Sequence, residues 1–434
     1  MKKIWQSSTG TLNKGVESYT VGDDFIYDMV IFPYDIRASK AHAEMLGTIG
    51  VLSEKEVSDL SFELDGLLNM YERGEVELTP EDEDCHTYIE AFLTEKLGNV
   101  GKKIHTGRSR NDQVLVATRL YMIDSCKKIE ERIFSLVESF FAIGEKHSGI
   151  VLPGYTHTQQ AMLSSVEHWL LSFAESLIND LDFITSMRKI LSQNPLGTAA
   201  GFGVTFPIDR DMTAKKLGFH KNIVNSIFAQ GSRGKFESLY LESLSQIMMT
   251  LSRFASDLLL FTSREFSFFS FPDSLTTGSS IMPQKKNLDT MELVRGKTAL
   301  VQANQATVKN LAKGLISGYH RDYQLLKKLV IDSSDITLAS VEVIFPYLEN
   351  LQVHSENILS SIKKDIVAAD IANELVEKKG MSFRDAYLQV KDDLESIDIP
   401  DYSANIASKK SLGSAGNLGK ELIQKHFSDV RSSR

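Results

Sequence analysis

Two cysteines in 434 residues, Cys85 and Cys126, are too few for a disulfide framework and stand in no metal-type spacing. They read as reduced, structural thiols of a cytosolic protein. Prolines are scarce as well, nine in all, and leave long stretches uninterrupted between them. No apolar run approaches the ~20 residues needed to cross a bilayer. The opening MKKIWQSSTG has lysines but no apolar run behind them, so it does not read as an export signal. An excess of positive charge is missing too. The formal charge is −9 and the pI about 5.7, which argues against a nucleic-acid footprint over the whole chain. Ten histidines show no HExxH or HxH spacing, so no metal is expected. Gly296-Lys297-Thr298 has the ending of a phosphate loop, but Met291 stands where the loop needs glycine. No nucleotide cofactor is expected.

What is present is helical periodicity. Val166, Leu170, Phe173, Leu177, Leu181, Ile184 and Leu191 recur mostly three or four apart. So do Phe236, Leu239, Leu244, Ile247, Leu251, Phe254, Leu258 and Phe261, and so do Ile129, Ile133, Leu136 and Phe140. Such spacing places the side chains on one helical face. Two further proline-free segments, 289–316 and 322–345, carry looser Ala/Leu stripes. Strand signals are sparse, so the expectation is an all-α chain built around long rods. The chain exceeds what one core organises, and it divides into a mixed segment 1–105, a long-helix segment 106–350 and a mixed segment 351–434. Adjacent apolar pairs such as Leu170-Leu171 and Met248-Met249 broaden the stripes beyond one face. They point to burial by further copies of the chain.

Three polar segments break this rhythm. HTGRSRNDQ, 105–113, packs Arg108 and Arg110 around Ser109 and Asn111 at an expected helix start, where backbone N–H groups favour an anion. Paired guanidinium groups there suit a carboxylate. PGYTHTQ, 153–159, places Thr156 and His157 just before the second long helix. LTTGSSIMPQKKN, 275–287, sets hydroxyls and glycine beside Lys285 and Lys286. A linker of that composition would gain nothing from the Met-Pro and the lysine pair. Together the segments supply carboxylate binding, a proton shuttle and a hydroxyl beside a cation. That combination suits proton abstraction next to a carboxylate.

GSSIMPQKKN resembles the signature loop of the fumarase/aspartase superfamily. With HTGRSRNDQ and GYTHTQ it is similar to the argininosuccinate lyase family within it. YDIRASKAHAEMLGTIGVLS (34–53), EDEDCHTYIE (81–90), NPLGTAAGFG (194–203) and ADIANELVEKKGMSFRDAY (369–387) extend the resemblance over the whole chain. It implies an all-α, three-domain fold whose central five helices pool into a twenty-helix core in a cytoplasmic homotetramer. Its active sites draw on three subunits. The implied reaction is the reversible elimination of argininosuccinate to arginine and fumarate, without cofactor or metal. Ser279 is implied as base, with His157 as acid and Glu292 as its partner. Lys285 and Asn287 would meet the charge on the neighbouring carboxylate. Ser109, Arg110, Asn111 and Thr156 would bind the fumarate-derived half. Tyr319, Gln324 and Lys327 would take the arginine half and carboxylates, with His86 as a further binding residue. On a helix those three would share an arc of ~140°. Leu288 stands where the family usually has proline, and YTVGDDF (19–25) offers no counterpart to its substrate-contacting serine. A lyase acting on another N-substituted aspartate, or a non-catalytic relative of the crystallin kind, are the alternatives.

Overall fold

The computed structural model describes residues 13–398 and 401–433. The opening MKKIWQSSTG and Pro400 lie outside them. Helices dominate. Long helices are Asp24–Thr48, Arg110–Lys146, Val166–Leu191, Lys235–Phe261, Asp289–Ala312 and Leu326–Glu349. Three of these coincide with the apolar stripes. Strands among the described residues form four separate two-stranded pieces. Among the described residues no helix is long and apolar enough to cross a membrane.

By internal contacts the chain divides into two compact units. One comprises Met1–Lys128, Ile184–Leu244 and Val301–Asp335; the other comprises Ile129–Phe183, Ser245–Leu300 and Ile336–Arg434. In the first, Tyr240 donates to Ser125 Oγ at 2.8 Å and shares a 2.7 Å hydrogen bond with Ser334 Oγ. Arg119, fully buried, donates to Ser232 Oγ at 3.0 Å and lies 4.3 Å from the Phe236 ring centroid. A buried arginine is tolerable here because both terminal nitrogens find acceptors, the other being Gln193 O at 3.1 Å, and its charge meets an aromatic face, although Nε is left without a partner. In the second unit Phe254 is the aromatic centre. Phe140 and Phe173 each meet it edge-on with centroids 5.2 Å away, and Trp169 stacks at 5.5 Å. The Trp169 indole donates to Asp257 at 2.8 Å, so the half-buried ring leaves no unpaired donor.

Two prolines do not punctuate as the sequence suggested. Pro33 lies inside the Asp24–Thr48 helix and Pro346 inside Leu326–Glu349. A proline in a helix interior removes one N–H and costs ~3 kcal/mol unless the freed carbonyl is satisfied. At Pro33 the carbonyl four residues earlier belongs to Met29. The Tyr71 hydroxyl, from the Glu54–Glu72 helix, donates to it at 2.9 Å. The tertiary partner replaces what the local sequence lacks. Glu54–Glu72 itself starts from a capping box, in which Ser53 and Glu56 exchange side-chain to backbone hydrogen bonds. At their other ends the looser stripes are shorter than read. The 289–316 segment is helical only to Ala312, and the 322–345 segment opens with the 3₁₀ turn Arg321–Leu325.

Candidate active site

Five carboxylates on or beside two neighbouring helices organise the first unit. Asp24, Asp28 and Asp35 fall on Asp24–Thr48. Glu83 and Asp84 precede Cys85–Leu97, where Asp84 caps the start by accepting from Thr87 N at 2.7 Å. Asp35 is wholly buried. It accepts from His86 Nδ1 at 2.7 Å and from Gln113 Nε2 at 3.0 Å. Arg108 reaches the same interior and donates to Ser39 Oγ at 2.8 Å. The expectation that Arg108 and Arg110 act as paired open donors therefore fails. Arg108 is turned into the core, where satisfying Ser39 beside Asp35 outweighs exposure. Arg110 points to the other side and is held by Asp84 at 3.1 Å and Thr87 Oγ at 2.7 Å.

Asp112 builds the helix start that the sequence led one to expect. It accepts from Ser109 N at 2.9 Å, Gly197 N at 2.9 Å and Ala199 N at 2.8 Å. One carboxylate thus ties the 105–113 segment to the NPLGTAAGFG loop. Ser109 Oγ accepts from Asn111 N at 3.3 Å. A cavity of about 150 Å³ opens beside this helix start, and His86, Arg110, Asn111, Tyr319, Gln324 and Lys327 all line it. Six residues singled out from sequence thus converge. They do so without sharing a helix. Tyr319 is irregular, Gln324 lies in the 3₁₀ turn Arg321–Leu325, and Lys327 is in the first turn of Leu326–Glu349. The ~140° arc is replaced by a bend that brings the same three side chains to one wall.

Sequence reading missed several other lining groups: Asp24, Glu83, Asp84, Arg233, Glu237 and Tyr323. Arg233 lies 5.2 Å from the Tyr319 ring centroid and 5.9 Å from that of Tyr323, a cation–π pairing that fixes both rings. Lys327 is bonded to Asp24 at 2.8 Å and also to Asp28. Burial works against its ammonium, but Asp28 and Asp24 outweigh that and push its pKa up. Asp28, Cys85 and His86 bring potential metal-ligating atoms within 4.8 Å of one another. The Lys327 ammonium already supplies the cation there, and burial pushes the Cys85 thiol well up, away from thiolate. The one sequence signal for Asp24 and Asp28 was their i, i+4 spacing, which sets both on one helix face.

The Asp35–His86 pair carries a pH dependence. Burial would lower the His86 pKa, yet Asp35, with Asp84 and Asp28, holds it above the ordinary 6.5. Burial would raise Asp35, yet His86, Arg108 and Gln113 hold it below the ordinary 3.8. A raised histidine stabilises the fold fully below its unfolded pKa, and the gain is lost as pH rises through the folded value. A depressed carboxylate stabilises above its unfolded pKa, with the gain lost as pH falls through the folded value. The pair is therefore at full strength between about 3.8 and 6.5. The Tm difference between the protein and its His86→Gln variant should be largest in that window and shrink as pH rises through the raised His86 pKa. A difference that instead widens with rising pH would remove the charged pair from the account.

The remaining candidates belong to the second unit. Thr156 and His157 do not directly precede a long helix. Thr156 ends a strand, Val151–Thr156, which pairs antiparallel with Gln159–Ser165, and His157 occupies the turn between them. His157 has φ 51° and Thr158 φ 59°, the left-handed pair that a two-residue hairpin turn requires. Both residues are exposed at the tip. Thr277–Gly278 pairs with Lys286–Asn287, so the signature loop is a second hairpin whose neck is pinned and whose tip is 279–285. Inside the tip, Ser279 Oγ accepts from Ile281 N at 3.3 Å and Met282 N at 3.1 Å. Lys285 is exposed, Asn287 half-buried, and Leu288 is buried at the foot of the loop. Glu292 is exposed on the first turn of Asp289–Ala312. Among the described residues no hydrogen bond or ion pair joins Thr156 or His157 to Ser279, Lys285, Asn287 or Glu292.

A family model described as lyase matches residues 17–303. A protein named argininosuccinate lyase from Thermotoga neapolitana is 44% identical over 90% of this chain and 97% of its own. Proteins of the same name from Xanthomonas euvesicatoria pv. vesicatoria and Sorangium cellulosum are each 40% identical, over 99% and 98% of both chains respectively. Among solved structures, EDDS lyase in complex with formate superposes with a TM-score of 0.83 at 22% identity, covering 98% of this chain and 92% of that one. Class II fumarase from Schistosoma mansoni superposes with a TM-score of 0.73 at 15% identity, covering 91% and 95%. At such identities these two share the fold.

Proposed function

Since the chain belongs to the argininosuccinate lyase family of the fumarase/aspartase superfamily, we propose that it cleaves argininosuccinate reversibly to arginine and fumarate, the last step of arginine biosynthesis. The observation that carries the reading is the cavity beside the Arg110 helix start. Cationic, anionic and amide groups converge there on a volume walled by Tyr319 and Arg233. A substrate with a guanidinium, an ammonium and three carboxylates needs such mixed polarity.

In the elimination, a base removes a proton from the carbon beside a carboxylate, the charge moves into that carboxylate, and the C–N bond breaks. Ser279 is the base in this reading. Two backbone N–H groups already point at its oxygen, which favours the deprotonated hydroxyl. Lys285 and Asn287 then face the doubly charged carboxylate. His157, oriented by Glu292, protonates the departing nitrogen. Ser109, Arg110, Asn111 and Thr156 hold the fumarate-derived half, while Tyr319, Gln324, Lys327 and His86 hold the other.

We place these groups in a cytoplasmic homotetramer in which different copies complete one site. Leu239, Met249, Leu260, Leu293 and Leu300, all exposed on long helices, support burial by further copies. Segments 1–105, 106–350 and 351–434 are the three domains of that reading. Purified protein should release arginine and fumarate from argininosuccinate and leave adenylosuccinate and aspartate untouched. Turnover of another N-substituted aspartate in its place would transfer the reading to a sister lyase.

A further inference from the structure

The YTVGDDF segment has no evident serine to meet substrate, yet its Asp24 lines the cavity. Asp24 and Asp28 share one cation, Lys327. Asp28 is fully buried and spends both oxygens, one on Lys327 and the other on Cys85 N at 2.9 Å. Asp24 keeps 13% of its side chain exposed and spends one oxygen, Oδ2, on Lys327 at 2.8 Å. Its Oδ1 carries no hydrogen bond among the described residues. Two carboxylates against one ammonium leave a negative charge unbalanced in a desolvated place. Such a charge is costly until a cation arrives. Burial, resisted by Lys327 and reinforced by Asp28, accordingly pushes the Asp24 pKa up to about 6.

Two neighbours also await a ligand. Gln324 gives its amide N–H groups to Thr20 O at 3.0 Å and Val21 O at 3.2 Å, and its amide oxygen is without a bond among the described residues. His86 is 5% exposed and lines the same cavity, and its Nε2 is buried without a partner. The wall thus offers free acceptors on Asp24 and Gln324 beside a free donor edge on His86 and the Lys327 cation. An α-amino acid end, with an ammonium and a carboxylate on one carbon, presents the complementary set.

We propose that Asp24 is a specificity-determining residue that receives the α-ammonium of the substrate's arginine half, completing the charge balance around Lys327. The inference rests on the lyase reading above. It assigns to this chain a carboxylate where a hydroxyl would give a weaker, neutral contact.

The synthetic direction tests it, with fumarate and three guanidines as co-substrates: arginine, agmatine (no carboxylate) and 5-guanidinopentanoate (no ammonium). Asp24→Asn should raise KM for arginine and agmatine roughly 10- to 100-fold, the range for loss of a charge-assisted hydrogen bond. KM for 5-guanidinopentanoate should stay within about 3-fold, as should kcat for all three, because the contact forms equally in ground and transition states. Asp24→Ser should show the same pattern, which keeps the test alive if one variant folds poorly. A KM rise common to all three guanidines, or a common fall in kcat, would overturn the proposal and leave Asp24 as a brace for Lys327. No turnover by the unaltered protein with any guanidine would overturn the lyase reading itself, and this inference with it.

Discussion

Replacing Ser279 by alanine is expected to lower kcat about 10²- to 10⁴-fold, the usual contribution of a positioned general base. KM for argininosuccinate should move little. In the proposed elimination the hydroxyl is used when the proton leaves, and a group used only in the transition state affects kcat and kcat/KM together. The fold should be indifferent. Ser279 sits in a hairpin tip with its oxygen bonded only to Ile281 N and Met282 N of the same tip. The tip is closed by Thr277–Gly278 against Lys286–Asn287, and Thr277 donates to Asp289 at 2.5 Å. The contacts that close the hairpin do not use the serine hydroxyl, and the two amides it accepts from lie in an exposed tip where water can replace it, so Tm should change little. Ser280, exposed and next in sequence, is the internal control. Ser280→Ala should keep kcat within about 3-fold. A near-normal kcat in Ser279→Ala, or a severe loss in Ser280→Ala alone, would take the role of base away from Ser279.

The largest effect on stability is expected at Asp35. Asp35→Ala should cost about 3–5 kcal/mol, because removing one member of a buried ionic cluster leaves the others uncompensated. Here His86, Gln113 and the Arg108–Ser39 pair all converge on that carboxylate. For a chain with cores of this size, that corresponds to a Tm lower by roughly 6–20 °C. Asp35→Asn keeps an acceptor for Gln113 and should cost less. A scanning-calorimetry difference under about 2 °C for the alanine variant would show that water or rearrangement replaces the carboxylate. The two substitutions separate cleanly: Ser279 should change rate without stability, and Asp35 stability throughout the first unit.

Much of this was legible in the residues themselves. The Val166–Leu191 and Lys235–Phe261 helices match their apolar stripes because all the stripe residues but Leu239 are buried, so periodicity reports the packing directly. Arg110 and Asn111 stand out as part of a dense polar run at an element boundary and His86 through the family resemblance, and all three line the cavity. What stayed hidden depends on partners distant in sequence. Pro33 reads as a break unless Tyr71 is known to lie beside Met29. Arg108 and Arg110 are alike in sequence and opposite in role, because the rotation of the helix start decides which of them meets Asp35's surroundings. His157 was set beside a helix because a short hairpin with a bulge at Gly154/Tyr155 has too little alternation to announce itself. Asp24 was invisible for a different reason. A carboxylate at the first position of a helix is ordinary, and only Lys327, 303 residues away, makes it exceptional.

The Tyr71 clasp on the Met29 carbonyl has a dynamic corollary. Pro33 interrupts the amide ladder of the Asp24–Thr48 helix, so its first turns are free to open without the rest. Those turns carry Asp24 and Asp28. The hydroxyl that anchors them comes from another helix, so the lifetime of the closed state there is set by tertiary docking rather than by helix propensity. In amide-exchange terms, protection over residues 24–32 should follow the Glu54–Glu72 helix more closely than it follows the second half of its own.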